Sequence, residues 1–357
     1  MFLAYKELKY SKTKFALIIV VIVFISYLVF FLTSLAYGLA SSYTNAIEKW
    51  NANAVILTLD SNDNMMMSYM TEADYNSVET TGSKAKLGLF PAVVSNPAET
   101  VEDTRVEVYF FGIENDSFIK PSEHKDIALT GNQVIVDEEL KKDGYKKGDI
   151  LEAKGINGTS QYEIVEFSSK TTYQTAPVVY MSLEAWQEYR YGSFNTPNLF
   201  SGVIARGEVD AISNNLLSYT IQDYIATLPG YTAQVLTFSV MIVFLIIISA
   251  FVLGIFIYVL TIQKISMFGV MKAQGISNGY IGGSVIVQTF LLTAFGLVLG
   301  LVLTALTGIF LGSVIPFAVN VMFYVIITAA FFLFALFGGL FSVSAVLKID
   351  PLKAIGG

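Results

Sequence analysis

Four long stretches of this chain carry no charged side chain, and that absence constrains the fold more than any other feature. Residues 15–40, 232–262, 281–315 and 317–347 consist mostly of Ile, Val, Leu, Phe, Ala and Gly with scattered hydroxyls and amides. About 20 consecutive apolar residues cross the hydrocarbon of a bilayer as a helix, and each run exceeds that. Pro316 parts the last two runs, so they are expected as a helical hairpin. The first run is far longer than the roughly 7–15 apolar residues of a signal-peptide core, so it is expected to remain as a span. Charged residues make up only 14% of the 357, against roughly 25% in soluble domains. A soluble enzyme and a disordered chain are both excluded.

The charges between the runs orient them. Residues 1–14, 263–280 and 348–357 together hold 8 basic and 2 acidic side chains, while residues 41–230 hold the other 14 basic and 27 acidic ones. Short basic segments stay in the cytoplasm. Both termini and the 263–280 loop are therefore expected inside, and residues 41–230 outside. The expected fold class is an α-helical membrane protein with four transmembrane helices and one extracellular mixed α/β domain between helices 1 and 2.

Within that domain, residues 54–59, 106–111, 133–136, 150–153 and 178–181 are β-branched, turn-bounded runs that predict strands. Residues 183–191 and 211–225 predict helices. No nucleophile elbow, zincin, kinase, dinucleotide or phosphate-loop pattern occurs; the nearest glycine-rich stretch, residues 144–149, lacks the spacing. The chain has no cysteine and a single histidine, His124, which excludes thiolate chemistry and any two-imidazole metal site. A net charge of −7 argues against nucleic-acid binding. The domain is expected to bind or transmit force rather than catalyse. The cluster Met65, Met66, Met67 and Met70 predicts packing or an adaptable contact surface rather than a metal site. His124 is expected in a solvated loop. Asn157, Gly158 and Thr159 form a glycosylation triplet of the kind that occurs often by chance. Gly296, Gly300, Gly308 and Gly312 are spaced for close helix approach, to span four, to span two or to a second copy.

Three segments outside the outer domain carry a family resemblance. Leu3, Ala4, Lys6, Glu7, Leu8 and Ser11 lie in a segment that resembles an amphipathic entry helix, consistent with a lysine-rich, interface-lying face. Met267, Phe268, Gly269, Val270, Lys272 and Gly275 resemble a cytoplasmic "EFGVLKALGAS" loop, with Met267 where an acidic residue is usual. Asp350, Pro351 and Leu352 resemble a "DPxxAL" tail. With the layout of one span, outer domain and three spans, the chain resembles the FtsX-like (MacB-type, type VII) permeases of ABC transporters. Among these it is most similar to the haem-efflux permeases of Gram-positive bacteria.

The resemblance implies a domain plan: a cytoplasmic amphipathic helix 1–14, spans 15–40, 232–262, 281–315 and 317–347, an extracellular domain 41–230, a coupling loop 263–280 and a tail 348–357. It implies no catalytic residue and no metal in this chain. ATP would be bound by a separate cytoplasmic ABC ATPase, in two copies, against a homodimer of the permease surrounded by lipid in a bacterial plasma membrane. Met267, Phe268, Gly269, Val270, Lys272 and Gly275 would couple to that ATPase. A haem or porphyrin substrate would be met by Glu48, Tyr231, Tyr43 and Tyr37, near the outer ends of the first two spans, since phenols and carboxylates ligate iron. Boundary tyrosines also serve as an aromatic belt, and that reading stays open. So do export of peptides, antibiotics or lipids, and a force-relay protein that transports nothing.

Overall fold

The computed structural model describes residues 12–97, 105–155, 158–192, 198–312 and 314–347, with 12–14 and 345–347 described by backbone alone. The expected entry segment before residue 12, the tail 348–357 and Asn157 lie outside these residues. The chain divides into two compact units, Met1–Leu39 with Val235–Gly357, and Ala40–Gln234.

The first helix, α1, runs Lys12–Lys49 and so continues past residue 40, the expected end of the span. Residues 41–49 contain neither Gly nor Pro, and their apolar members Ala46 and Ile47 are buried in the domain core. The helix stops where Asn51 takes φ +46°. The Arg206 guanidinium donates to the Trp50 carbonyl at 2.6 Å and the Asn51 carbonyl at 3.1 Å. A cation satisfying the last carbonyls is favourable at a helix C-terminus.

The outer unit continues with β1 (Ala54–Thr58), α2 (Glu72–Ser77), β2 (Glu79–Thr80), β3 (Lys84–Ser95), β4 (Val106–Ile113), β5 (Gln133–Asp137), β6 (Ile150–Gly155), β7 (Gly158–Ser168), β8 (Thr172–Tyr173), β9 (Ala176–Ser182), α3 (Leu183–Tyr191), β10 (Gly202–Ala205), β11 (Val209–Ala211), β12 (Leu216–Thr220) and α4 (Ile221–Thr227). Six strands close into a ring: β3 pairs β4, then β9, β5, β7 and β6, and β6 pairs back onto β3. One parity of each strand fills the ring, with Val108 and Phe110 from β4, Val134 and Val136 from β5, Leu151 and Ala153 from β6, and Val179 and Met181 from β9. That is the period-2 alternation of a strand with one buried face. The other parity, including Phe111, Ile135, Val178 and Tyr180, forms a second core with Trp50, Tyr173 and Tyr224. Closing the ring leaves fewer free edges to aggregate.

Helix α3 docks through Trp186 onto a window of two glycines. Gly88 and Gly112 face each other across β3 and β4, and a Cβ on either would lie 2.4–2.5 Å from Trp186. The helix expected over 211–225 is instead β11, β12 and the short α4. Leu216 to Thr220 pair with β1, and the Thr220 hydroxyl accepts the Asp223 N–H, so the cap starts the helix ten residues later than expected. Strands 84–95, 158–168 and 202–205 went unread because glycine, proline and charge interrupt their alternation.

The helical unit contains part of α1 with α5 (Tyr231–Ile262), α6 (Ile265–Ala273), α7 (Asn278–Leu311) and α8 (Val321–Leu347). Among the described residues, α1, α5, α7 and α8 are long and apolar enough to cross a membrane. Their ends differ slightly from the expected runs. The Ser277 hydroxyl accepts the Tyr280 N–H and starts α7 earlier. The Asn320 side chain accepts from the amides of Met322 and Phe323 and starts α8 later. Of the glycine stripe of α7, Gly308 meets Phe317 of the fourth apolar run, an expected partner, whereas Gly296 and Gly300 meet α1, a partner not among those expected. A Cβ on Gly296 would lie 2.3 Å from Ile22, and one on Gly300 would lie 2.1 Å from the Ser26 hydroxyl. Ser26 donates to the Gly296 carbonyl at 3.3 Å, and Tyr27 bonds Thr307 at 3.1 Å. In hydrocarbon there is no hydrophobic force between helices, so close backbone approach and such hydrogen bonds hold them together.

Gly296→Val should therefore destabilise the protein by about 1–3 kcal/mol through overpacking. Gly283→Ala, where a Cβ meets open space, should leave the thermal midpoint in detergent unchanged. Equal midpoints for the two variants would refute the α1–α7 contact.

Candidate functional site

The candidate substrate residues fall on two elements of the outer unit and one of the helical unit. Tyr43 projects from α1 and Tyr231 opens α5, and both are half-buried. Their ring centroids are 5.8 Å apart at an interplanar angle of 58°. Gly230, at φ +80°, turns the chain beside the Tyr43 hydroxyl. Glu48 is exposed, and its carboxylate accepts the Thr44 hydroxyl at 2.9 Å. The structure thus brings the Tyr43 and Tyr231 rings together, while the Glu48 side chain bonds Thr44 of its own helix. Tyr37 belongs to the helical unit, where its ring packs edge-on against Phe323 at 5.8 Å. Among the described residues no group of three or more His, Cys, Asp or Glu side chains is placed to hold a metal.

The expected coupling loop forms the stub helix α6. Its end is a Schellman motif: Ile276 N–H donates to the Met271 carbonyl, Gly275 N–H to the Lys272 carbonyl, and Gly275 takes φ +83°. That geometry needs a residue without a Cβ penalty. The six predicted residues split by face. Phe268 and Gly269 are buried, with Phe268 packed against Ile281 and Val285. Met267, Val270 and Gly275 are exposed, and Lys272 is half-buried. Phe268 anchors the stub, whereas Met267 and Val270 present apolar surface outward.

Two features went unread in the sequence. Lys264, just before α6, donates to the Gln288 side chain at 3.1 Å and sits 4.8 Å from the Phe15 ring centre. It ties the stub to α7 and α1. A lone amide inside an apolar run was the available signal. The hairpin of β8 and β9 also contacts α1, but its residues form no recognisable motif. His124 is not in a solvated loop: it is half-buried and its Nε2–H donates to the Phe167 carbonyl at 2.9 Å. Met65 and Met70 are buried core residues, while Met67 is exposed, so half of the cluster is packing.

With this geometry in view, comparisons with known proteins agree. Four helices long and apolar enough to cross a membrane, with a mixed α/β domain between the first two, are the layout of a multi-pass membrane protein. Residues 239–351 match the family described as FtsX-like permease, C-terminal, and over that stretch the chain is similar to FtsX-like permeases. Relatives from Staphylococcus epidermidis are 25% identical over 361 residues, covering 99% of this chain and 99% of theirs. A relative from Staphylococcus haemolyticus is 25% identical over 364 residues at the same coverage. All carry the provisional name hemin transport system permease protein HrtB. The solved periplasmic region of MacB from Actinobacillus actinomycetemcomitans aligns with a TM-score of 0.30 and 8% identity, covering 48% of this chain and 89% of that one, a likeness too loose to bear on the fold.

At the end of α1, Lys49 pairs with Glu123 at 2.7 Å, and Ser168 donates to the same oxygen at 2.7 Å. Burial alone would raise the Glu123 carboxyl, but the Lys49 and Ser168 hydrogen bonds outweigh it and hold it at about 2. A depressed carboxylate stabilises the fold above its unfolded value near 4.5 and loses that contribution as pH falls toward 2. Because the pair is partly exposed, its contribution is about 1 kcal/mol. Melting curves of Glu123→Gln between pH 5 and pH 2 should therefore fall less steeply than wild type. Parallel curves would remove the pair from the acid response.

Proposed function

We propose that this chain is the permease subunit of an ATP-driven exporter that expels a flat hydrophobic substrate, a haem or porphyrin, outward from the membrane. The observation that carries the reading is the contact of the Tyr43 and Tyr231 rings, with the exposed Glu48 carboxylate on the same helix as Tyr43. The names of the full-length relatives favour the same substrate class. Glu48 or a Tyr43 or Tyr231 phenolate would ligate iron, and the remaining phenol would hydrogen-bond a propionate. Tyr37 joins the set by its place on α1 alone.

In this reading both termini and α6 face the cytoplasm of a bacterial cell, as the distribution of basic residues favours. Two permease copies carry two copies of a separate ABC ATPase, which supplies the hydrolysis. The ATPase docks on Met267 and Val270, and Phe268 and Lys264 pass the movement of the stub to α7 and α1. Relative motion of α1 and α5 then releases the substrate outward, the mechanotransmission mode. No charged residue occurs in the four runs, which favours expulsion over an aqueous path or a proton relay.

The test is titration of the purified permease with haemin, read by the Soret band, for wild type, Glu48→Ala and Tyr231→Phe. A saturable shifted band, weakened about tenfold by either change, is expected for the loss of one ligand or hydrogen bond. A wild type without a saturable band would discard haem as the substrate and bring peptide, antibiotic or lipid export, or force relay, to the front.

A further inference from the structure

The hairpin of β8 and β9 has a two-residue tip, Gln174–Thr175, between the paired residues Tyr173 and Ala176. Both tip residues have positive φ, +47° and +71°, as a type I′ turn requires. Such turns favour Asn-Gly, and a β-branched threonine at positive φ is an outlier. Strain of this kind persists only where the surroundings over-determine it.

Those surroundings are helix α1. Gln174 N–H donates to the Tyr43 carbonyl and Thr175 N–H to the Ser42 carbonyl, each at 3.1 Å. Two residues before the tip, Thr172 takes a hydrogen bond from the Asn45 amide at 2.9 Å. Gln174 is itself fixed, since its side-chain oxygen accepts the Tyr109 hydroxyl at 3.2 Å. On its other side the hairpin reaches the segment that leads into α5: the Tyr173 and Tyr224 hydroxyls bond at 2.7 Å, buried. At its base, the amide and hydroxyl of Thr171 both donate to the buried Asp137 carboxylate at the end of β5. One short hairpin therefore holds the chain that carries Tyr43, the chain that leads to Tyr231, and a strand of the closed ring.

We propose that the Thr172–Thr175 hairpin is the positioning element of the Tyr43–Tyr231 pair, clasping α1 and the α4 segment so that the two phenols meet at a fixed separation. The role of this clasp in substrate binding rests on the haem reading above; its structural part does not. The strained tip follows from the function. A relaxed turn would not need α1, whereas this one keeps its shape through the two α1 carbonyls.

The test uses the full-length permease in detergent and exploits its lack of native cysteine. Spin labels at Ala40→Cys and Ala233→Cys report the separation of the two chains without any ligand. Tyr173→Phe and Thr172→Val, which remove the two side-chain bonds while keeping the fold's apolar volume, should broaden that distance distribution. They should also weaken haemin binding by about tenfold each, the loss of one hydrogen bond, and shift the Soret maximum. The double change Gln174→Asn with Thr175→Gly keeps both tip amides in a preferred type I′ sequence and should retain the wild-type distribution and affinity. Broadening in a protein that binds no haemin would overturn the haem reading and leave the clasp standing. Distributions unchanged by Tyr173→Phe and Thr172→Val would overturn the clasp, and haemin affinity unchanged in these variants where the wild type binds haemin would overturn its role in substrate binding.

Discussion

In hydrocarbon a backbone amide has no partner except a carbonyl of its own chain, and the rest of this structure follows from that constraint. The four uncharged runs can satisfy their amides only as helices. The helices then lack a hydrophobic reason to associate, so their contacts come from close approach and from hydroxyls. Gly296 and Gly300 let α7 lie against Ile22 and Ser26 of α1, and Ser26, Tyr27 and Ser34 each bond a neighbouring helix. The polar mass of the chain is left to a single insertion between the first and second helices.

That insertion is organised by opposite rules. Water supplies the hydrophobic force, and the strands sort their side chains by parity into two cores. The Trp186 ring fits against Gly88 and Gly112 because both strands lack a side chain there. Some buried polar groups are paired: Asp137 accepts from Glu139 and Thr171, and the Tyr173 and Tyr224 phenols, both raised by burial, stay neutral and bond each other. Helix α1 takes part in both regimes. Its end is capped by Arg206 and continued by Trp50 in the domain core.

The candidate site was legible in part. Tyr43, Tyr231 and Glu48 stand out because polar residues flank apolar runs, and that signal is local. The contact of the Tyr43 and Tyr231 rings was not legible, since it depends on a hairpin more than a hundred residues from Tyr43. The stub helix was readable from the family likeness, but the division of its face was not. Phe268 turns inward because Ile281 and Val285 present a surface to it, a fact of packing. The helix expected over 211–225 failed for a similar reason. Leu216 to Thr220 suit a helix by composition, and β1 recruits them as a strand.

The sequence by itself determined the number of apolar helices, the place of the outer domain and the charge asymmetry between the segments that flank them. Each of these depends on transfer free energies summed along contiguous residues. Only the tertiary structure decided the closure of the six-stranded ring, the choice of α1 as partner for Gly296 and Gly300, and the clasp of Thr172–Thr175 on Ser42 and Tyr43. Those outcomes depend on which distant backbone groups and surfaces meet, and no sum over neighbouring residues contains that information.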